Sequence, residues 1–480
     1  MRFIVPILAL FVLCACPEPA AEGDPTPPEG GEPDDDDSAD DDDADDCDDP
    51  TDADEDGVRV CDDDCDDSDA SVFPGAVEWC DAVDHDCDGD ATLTEGCAAE
   101  CGNGEVQSSV GPGETCPGAA VVIADRPAWD AWVASPTGHA QLTAALDLEG
   151  TSLSLRTACT LDIRPGAELT GLTDAMIDVG EFVSRGRVEA SIGLVIRSRD
   201  RTTIMINAAT VAPSLALESA ALDLSGDIVV EERLCHEAGA ILVRGSASVV
   251  LGGADLLLRG GTVDLGSDYQ GAGEVDIAGD SVLVRQAVAI QGAGDVALAS
   301  VDSLDMGGDV VAAGDALFES EGSVLLRAAS DIRGVGEVVL SAGEDLDLSG
   351  RLGSSLWAVG TAGGDLLFRS AASIEGPGSV TITAAGSLDV AGDVTGAGDV
   401  ALEGTSMLCR ASFGITSSGD VGLLVAEAMD ASCRISGNEV VEIVTGSYFL
   451  RAAHAFTGNA ECSIRGEGTG VEPNGCEPLQ

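Results

Sequence analysis

The chain contains no lysine. All 22 basic residues are arginine, against 87 acidic ones, for a net charge of −65 over 480 residues. That balance excludes nucleic acid as a partner, since such binding rests on neutralising phosphates with basic side chains. Aromatics are also scarce, at 3% with two tyrosines and four tryptophans. A polysaccharide-cleaving groove needs sugar-stacking rings and clustered acids, so an enzyme is not the expected reading. There are four histidines; His139, His236 and His454 are far apart and none is spaced with a nucleophile. Each reads as a surface or loop residue. Beyond the N-terminus no stretch has eighteen consecutive apolar residues, so nothing there is expected to span a bilayer.

The N-terminus reads as a targeting segment. Arg2 precedes an apolar run over 3–12, and Leu13-Cys14-Ala15-Cys16 matches a bacterial lipobox. A signal peptide over 1–15 is expected, with Cys16 lipidated. Pro17 supplies no inner-membrane retention aspartate, which points to the outer membrane or cell surface. Residues 16–50 are Pro, Gly, Ala and acid, with aspartate runs at 34–37, 40–43 and 45–46. Such a segment cannot bury enough apolar surface to fold, so it reads as an extended acidic tether.

Residues 51–96 carry the strongest chemical signal. Asp84-His-Asp86-Cys-Asp88-Gly89, with Glu95 six positions on, fits the calcium-loop pattern D-x-D-x-D-G-x5-E. Asp52-Ala-Asp54-Glu-Asp56-Gly57 is a second match, with Asp63 at the twelfth position. Alternate carboxylates converge on one cation, the glycine permits the turn, and the twelfth residue closes the shell. The candidate ligands are Asp52, Asp54, Asp56, Asp63, Asp84, Asp86, Asp88, Asp90 and Glu95. Cysteines stand among them, as expected where disulfides and metal replace a hydrophobic core.

The stretch Cys65-Asp-Asp-Ser-Asp69, then Pro74-Gly-Ala-Val-Glu-Trp-Cys80 and Asp84-His-Asp86-Cys87-Asp88-Gly89, resembles the metal-binding motif of bacterial surface proteins related to the copper-binding MopE. Ala82 departs from the usual glycine and His85 from the usual asparagine. The resemblance implies metal binding without fixing the metal. Hard oxygen ligands favour calcium; copper would want imidazole, thiolate or thioether, and His85 is the nearest imidazole.

With Cys14 and Cys16 assigned to leader and lipid, an even number of the 16 cysteines remains, which suggests disulfides in an oxidising compartment. The candidates are Cys61, Cys65, Cys80, Cys87, Cys97, Cys101, Cys116, Cys409, Cys433, Cys462 and Cys476, with connectivity open. Residues 97–117 read as a Cys/Gly-rich linker.

From about residue 140 the chain becomes a repeat. Gly292-Ala-Gly-Asp-Val296, Gly334-Val-Gly-Glu-Val338 and Gly376-Pro-Gly-Ser-Val380 stand 42 residues apart. Charges divide that period. Asp223, Arg244, Asp264, Arg285, Asp305, Arg327, Asp347, Arg369, Asp389, Arg410, Asp430 and Arg451 alternate in sign at intervals of 20 to 22 residues. The expected fold is all-β: a single-stranded parallel β-helix of about 21 residues per coil over 118–470, with a tail at 471–480. Inward aliphatics would form the core, and the charges would stack as Asp over Arg over Asp on an outer face. The glycine-rich strands resemble the solenoid repeats of filamentous-haemagglutinin-type adhesins. Open ends need covering. A short helix over about 125–134, capped by Asp125, would place Trp129, Trp132 and Val133 over the first coil. Cys462 and Cys476 would tie down the last.

The resulting reading is a non-enzymatic, lipid-anchored surface protein that binds calcium or another divalent cation and projects a β-helix for adhesion or structural interaction. Its partners would be divalent cations, the membrane through the lipid, and surface polysaccharide or another surface protein. A β-helical polysaccharide-degrading enzyme and a copper-binding surface protein are the alternatives.

Overall fold

The computed structural model describes residues 110, 114–376, 378–451, 455–457, 461–470 and 476–478. The chain divides into two units, 1–93 and 94–480, and all described residues lie in the second.

That unit is a parallel β-solenoid of about 17 turns with some 20 residues per turn. The turns are slightly shorter and more numerous than the sequence spacing suggests. Each presents three faces. In one turn they are Ala289–Gly292, then the two halves of the bent strand Val296–Met306. The next turn follows with Asp309–Ala312, Ala316–Ser320 and Ser323–Leu326. Every face pairs in parallel with its counterparts above and below.

Alternation along each strand sends every second side chain inward, and stacking turns these into continuous columns. One column runs Ile177, Ile196, Leu217, His236, Leu258, Ile277, Leu298, Phe318 and Leu340. All of these are buried. A buried leucine or isoleucine contributes about 2 kcal/mol from transfer alone, and the column repeats that gain on each turn.

Gly-Ala-Gly-Asp segments form one set of corners, and contacts between turns account for their composition. The Asp295 carboxylate accepts the Asp315 backbone N–H at 2.7 Å, and Asp315 in turn accepts the Glu337 N–H at 2.7 Å. The carboxylate folds over the glycine of the next corner. A Cβ at Gly314 would sit 1.9 Å from Asp295 Oδ1, and one at Gly336 equally close to Asp315 Oδ1. Acid and glycine therefore form one device, shared between adjacent turns. At the neighbouring corner Asp365 accepts both the Ser387 N–H and its hydroxyl, at 2.7 and 2.8 Å. These bonds hold its carboxyl below the usual range, the backbone contribution being the larger.

The first turn is covered as the sequence predicts. The helix Arg126–Ala134 starts at Asp125, whose carboxylate accepts the Ala128 N–H, and Pro127 sits in the first turn. Trp129 and Trp132 are buried beneath it. The Trp132 indole donates to the Gly138 carbonyl at 2.8 Å.

The cysteines correct the candidate set. Cys116 is bonded to Cys159, a residue absent from that set. Cys409 is bonded to Cys433 inside the solenoid. Cys409 ends its strand on an inward column that runs Val390, Cys409, Ala431 and Leu450, and the small Ala431 side chain beside it leaves room for Cys433. Cys235 and Cys462 are also disulfide-bonded, and Cys235 too lies outside the candidate set. Cys462 and Cys476 are register partners on adjacent strands.

The charge ladder also needs correction. Its residues do pair: Arg244 with Asp223, Arg285 with Asp264, Arg327 with Asp305, Arg369 with Asp347, Arg410 with Asp389 and Arg451 with Asp430. The backbone does not stack Asp on Arg, however. Asp264 has Leu242 and Leu283 as its register partners, and Asp305 has Leu283 and Leu325. Each arginine lies two residues past the stacked leucine, or past Phe449 in the case of Arg451, and reaches back to one aspartate, on the preceding turn. The column is thus Asp, Leu, Asp, Leu, with turns alternating in length: 20 residues from Asp305 to Leu325, then 22 to Asp347. Two unequal turns make the 42-residue repeat.

Candidate functional site

The proposed metal ligands Asp52, Asp54, Asp56, Asp63, Asp84, Asp86, Asp88, Asp90 and Glu95 lie outside the described residues. So do Cys16 and the cysteines Cys61, Cys65, Cys80, Cys87, Cys97 and Cys101. Among the described residues, no group of three or more His, Cys, Asp or Glu could hold a metal ion. No described helix is long and apolar enough to cross a membrane.

The described surface carries three arrangements of chemical interest. The first is the set of bidentate pairs along the outer column. Arg244 Nε donates to Asp223 Oδ1 and its Nη2 to Oδ2, both at 2.7 Å. This side-on fork satisfies both carboxylate oxygens. At the far end Arg451 holds the Asp430 carboxyl below its ordinary value through that hydrogen bond. It also lies 5.5 Å over the Phe449 ring.

The second is a groove of about 880 Å³ on the outer side of the last turns, where the strands Val400–Cys409, Val421–Ala431 and Val440–Leu450 bend. Ser406, Leu408, Asp430, Ser447, Phe449 and Glu467 line it. The ladder puts aspartate and leucine there alternately, and Phe449 takes a leucine position. Asp389 and Asp430, both at this groove, are held in ion pairs by Arg410 and Arg451. The lining contains no histidine. The groove offers a polar and apolar surface on which both aspartates are tied to arginine, and Glu467 is the remaining acid of its lining.

The third arrangement was missed from sequence. Asp178, Arg197, Glu218, Glu237 and Arg259 follow one another in backbone register across five turns. Asp178, Glu218 and Glu237 are buried, and Arg197 reaches Glu218 at 3.0 Å. Strand alternation around Arg197 and Glu218 is the signal that could have found it. The row breaks the 42-residue rhythm, so a search for repeats passes over it.

Of the histidines, His139 is a surface residue whose Nδ1 accepts the Thr160 N–H at 3.0 Å. His236 is not: it is wholly buried in the inward column, its Nδ1 beside the Cys235 carbonyl and its Nε2 without a partner. Burial pushes its pKa down to about 4. Tyr269, buried between Val249 and Ile290, also leaves its hydroxyl unpartnered, and burial raises its pKa.

No curated protein and no solved structure matches the chain significantly. Residues 64–91 match the copper-binding MopE family, described as a "putative metal-binding motif", and so a metal-binding motif stands ahead of a parallel β-solenoid in this chain.

Proposed function

We propose that this is a non-enzymatic surface lipoprotein, anchored through Cys16 in the outer membrane. Its Asp-rich motif binds calcium, and the solenoid serves adhesion or structural interaction. The family match over 64–91 carries the metal reading. Calcium is favoured over copper because the alternating carboxylates are hard oxygen donors and His85 is the one imidazole in the motif. The non-enzymatic reading is supported by the groove, whose aspartates at 389 and 430 are tied into arginine pairs. Adhesion is supported by the repeated outer faces, which offer extended surface of the kind solenoids use for binding.

Calorimetry on the oxidised full chain tests the metal. About one to two calcium ions should bind, with a gain in protease resistance. Asp86→Ala combined with Asp88→Ala should remove one site. Tight copper binding with no calcium heat would replace the calcium reading by the copper one.

A further inference from the structure

One turn departs from the repeat at three outward positions. Corners on the same edge read Gly292-Ala-Gly-Asp295, Ala312-Ala-Gly-Asp315, Gly334-Val-Gly-Glu337 and Gly396-Ala-Gly-Asp399. In between, one reads Ser354-Ser-Leu356-Trp357, and the next, Gly376-Pro-Gly-Ser379, keeps the glycine with serine in the acid's place. Leucine thus stands where the corner glycine belongs, and tryptophan where the acid belongs. At Gly314 and Gly336 the glycine is forced by the aspartate carboxylate folding over it from the preceding turn, and at Gly398 the Ser379 hydroxyl takes the carboxylate's place. Here that carboxylate would come from Glu337; the Leu356 N–H keeps the repeat's bond to the preceding corner, at the Gly336 carbonyl, and also meets the Ser354 hydroxyl.

Neither new side chain enters the core. Trp357 is 57% exposed and Leu356 53%, and Val335 on the preceding corner is 60% exposed. The Trp357 carbonyl does the backbone work of the corner, accepting from the Val338 N–H and the Ser354 hydroxyl. The indole contributes nothing to it. A local rule broken without a packing gain marks a functional surface.

The third departure is Gly353. It lies on the strand leading into this corner, between Arg333 and Glu375 in backbone register. A Cβ there would meet nothing closer than 3.7 Å, so neither space nor backbone angle demands glycine. The missing side chain leaves a notch beside the apolar corner. Its rim carries two exposed ion pairs, Arg333 with Asp331 and Arg351 with Glu375.

We propose that this corner is a carbohydrate-binding platform for a neutral glycan, with Trp357 and Leu356 as the stacking surface and the notch at Gly353 as the polar side. The inference deepens the adhesion reading and rests on it. An exposed indole face attracts the weakly positive C–H face of a hexose, and the ion-paired rim supplies both donors and acceptors to hydroxyls. Charge selects the ligand. A chain of net charge −65 repels acidic polymers and a second copy of itself, while a rim of balanced pairs has no excess charge to favour a cation.

The test is affinity electrophoresis of the full chain through gels containing hydroxyethyl-cellulose, dextran or mannan, with alginate as the acidic comparison. The wild type should be retarded by at least one neutral polymer and not by alginate. Trp357→Ala should weaken retardation about tenfold. The double variant Leu356→Gly with Trp357→Asp restores the repeat's own corner; it should melt no lower than wild type and lose retardation. Equal retardation of wild type and double variant would overturn the platform while leaving adhesion standing. A wild type retarded by none of the neutral gels would overturn the platform, and if it also failed to bind whole cells, adhesion would fall with it. Sedimentation showing a dimer that Trp357→Ala disperses would assign the patch to a second copy and overturn the glycan. A double variant that unfolds would show the two residues to be structural, and would overturn the inference as well.

Discussion

His236 holds a place that Leu217 and Leu258 hold on the turns before and after it. It is buried in its neutral form, and its pKa falls from 6.5 to about 4 because burial disfavours the imidazolium. Between those values the unfolded chain binds a proton that the folded chain refuses. Stability therefore rises with pH across this window. The contribution is complete above about pH 6.5 and is lost as the pH falls towards 4, by up to about 3 kcal/mol. His236→Leu should remove that loss. Urea unfolding at pH 7.5 and 4.5 would check it, the variant losing less stability than wild type on acidification. Equal losses would mean that the imidazole is not buried neutral. Tyr269→Phe removes a hydroxyl that has no partner and should be neutral or stabilising by about 1 kcal/mol. At this scale the sequence was only half legible. Alternation places Leu234, His236 and Ala238 on one face, which marks the histidine as inward, but histidine's polarity argues for the surface. Only stacking against neighbouring turns decides between them.

Among the elements, the capping helix and the inward columns could be read directly from sequence, because Asp125, Pro127 and the alternating aliphatics act locally. The ladder could be read only in its pairing. Each Asp-to-Arg interval of 21 or 22 residues is close to the mean length of a turn, so sequence spacing looks like register. The true register, 19 or 20 residues and then 22, is hidden because the arginine sits two positions past the stacked leucine. The consequence can be tested. Arg327→Ala should cost less than about 1 kcal/mol, since the pair is exposed. Arg327→Asp should cost more, by setting a second carboxylate against Asp305. Combining it with Asp305→Arg should recover much of the loss, because Arg327 answers to Asp305 alone. Thermal melts of the three variants, read as a cycle, give the coupling; no recovery in the double variant would mean that the pair does not act as a unit.

For the whole molecule, the solenoid was visible in its period, whereas the cysteine pairing was not. Cys159 stands in an ordinary alternating strand with no neighbour in sequence to mark it, and Cys116 reaches it across 43 residues. Closing a loop of that length stabilises by about 4 kcal/mol in the chain-entropy account. Cys116→Ser with Cys159→Ser should lower the melting temperature while leaving the strand signal in far-ultraviolet circular dichroism intact. An unchanged melt would show that the bond adds nothing to stability. The anchor is tested separately: Cys16→Ser should move the protein from the membrane fraction to the soluble one, and unchanged partitioning would refute lipidation at that residue.

The unequal turns also limit how such a chain can change in length over generations. Gene duplication or deletion can add or remove a whole 42-residue pair without disturbing any neighbour. Excising 306–347 would join Asp305 to Leu348, the same junction the chain already makes at Asp347. Excising 306–325 alone would bring Asp347 directly against Asp305, two carboxylates about 4.8 Å apart with one arginine between them. The first deletion should yield a shorter protein with a nearly unchanged melt, and the second a markedly weaker one. Natural length variants of this solenoid should accordingly differ by even numbers of turns.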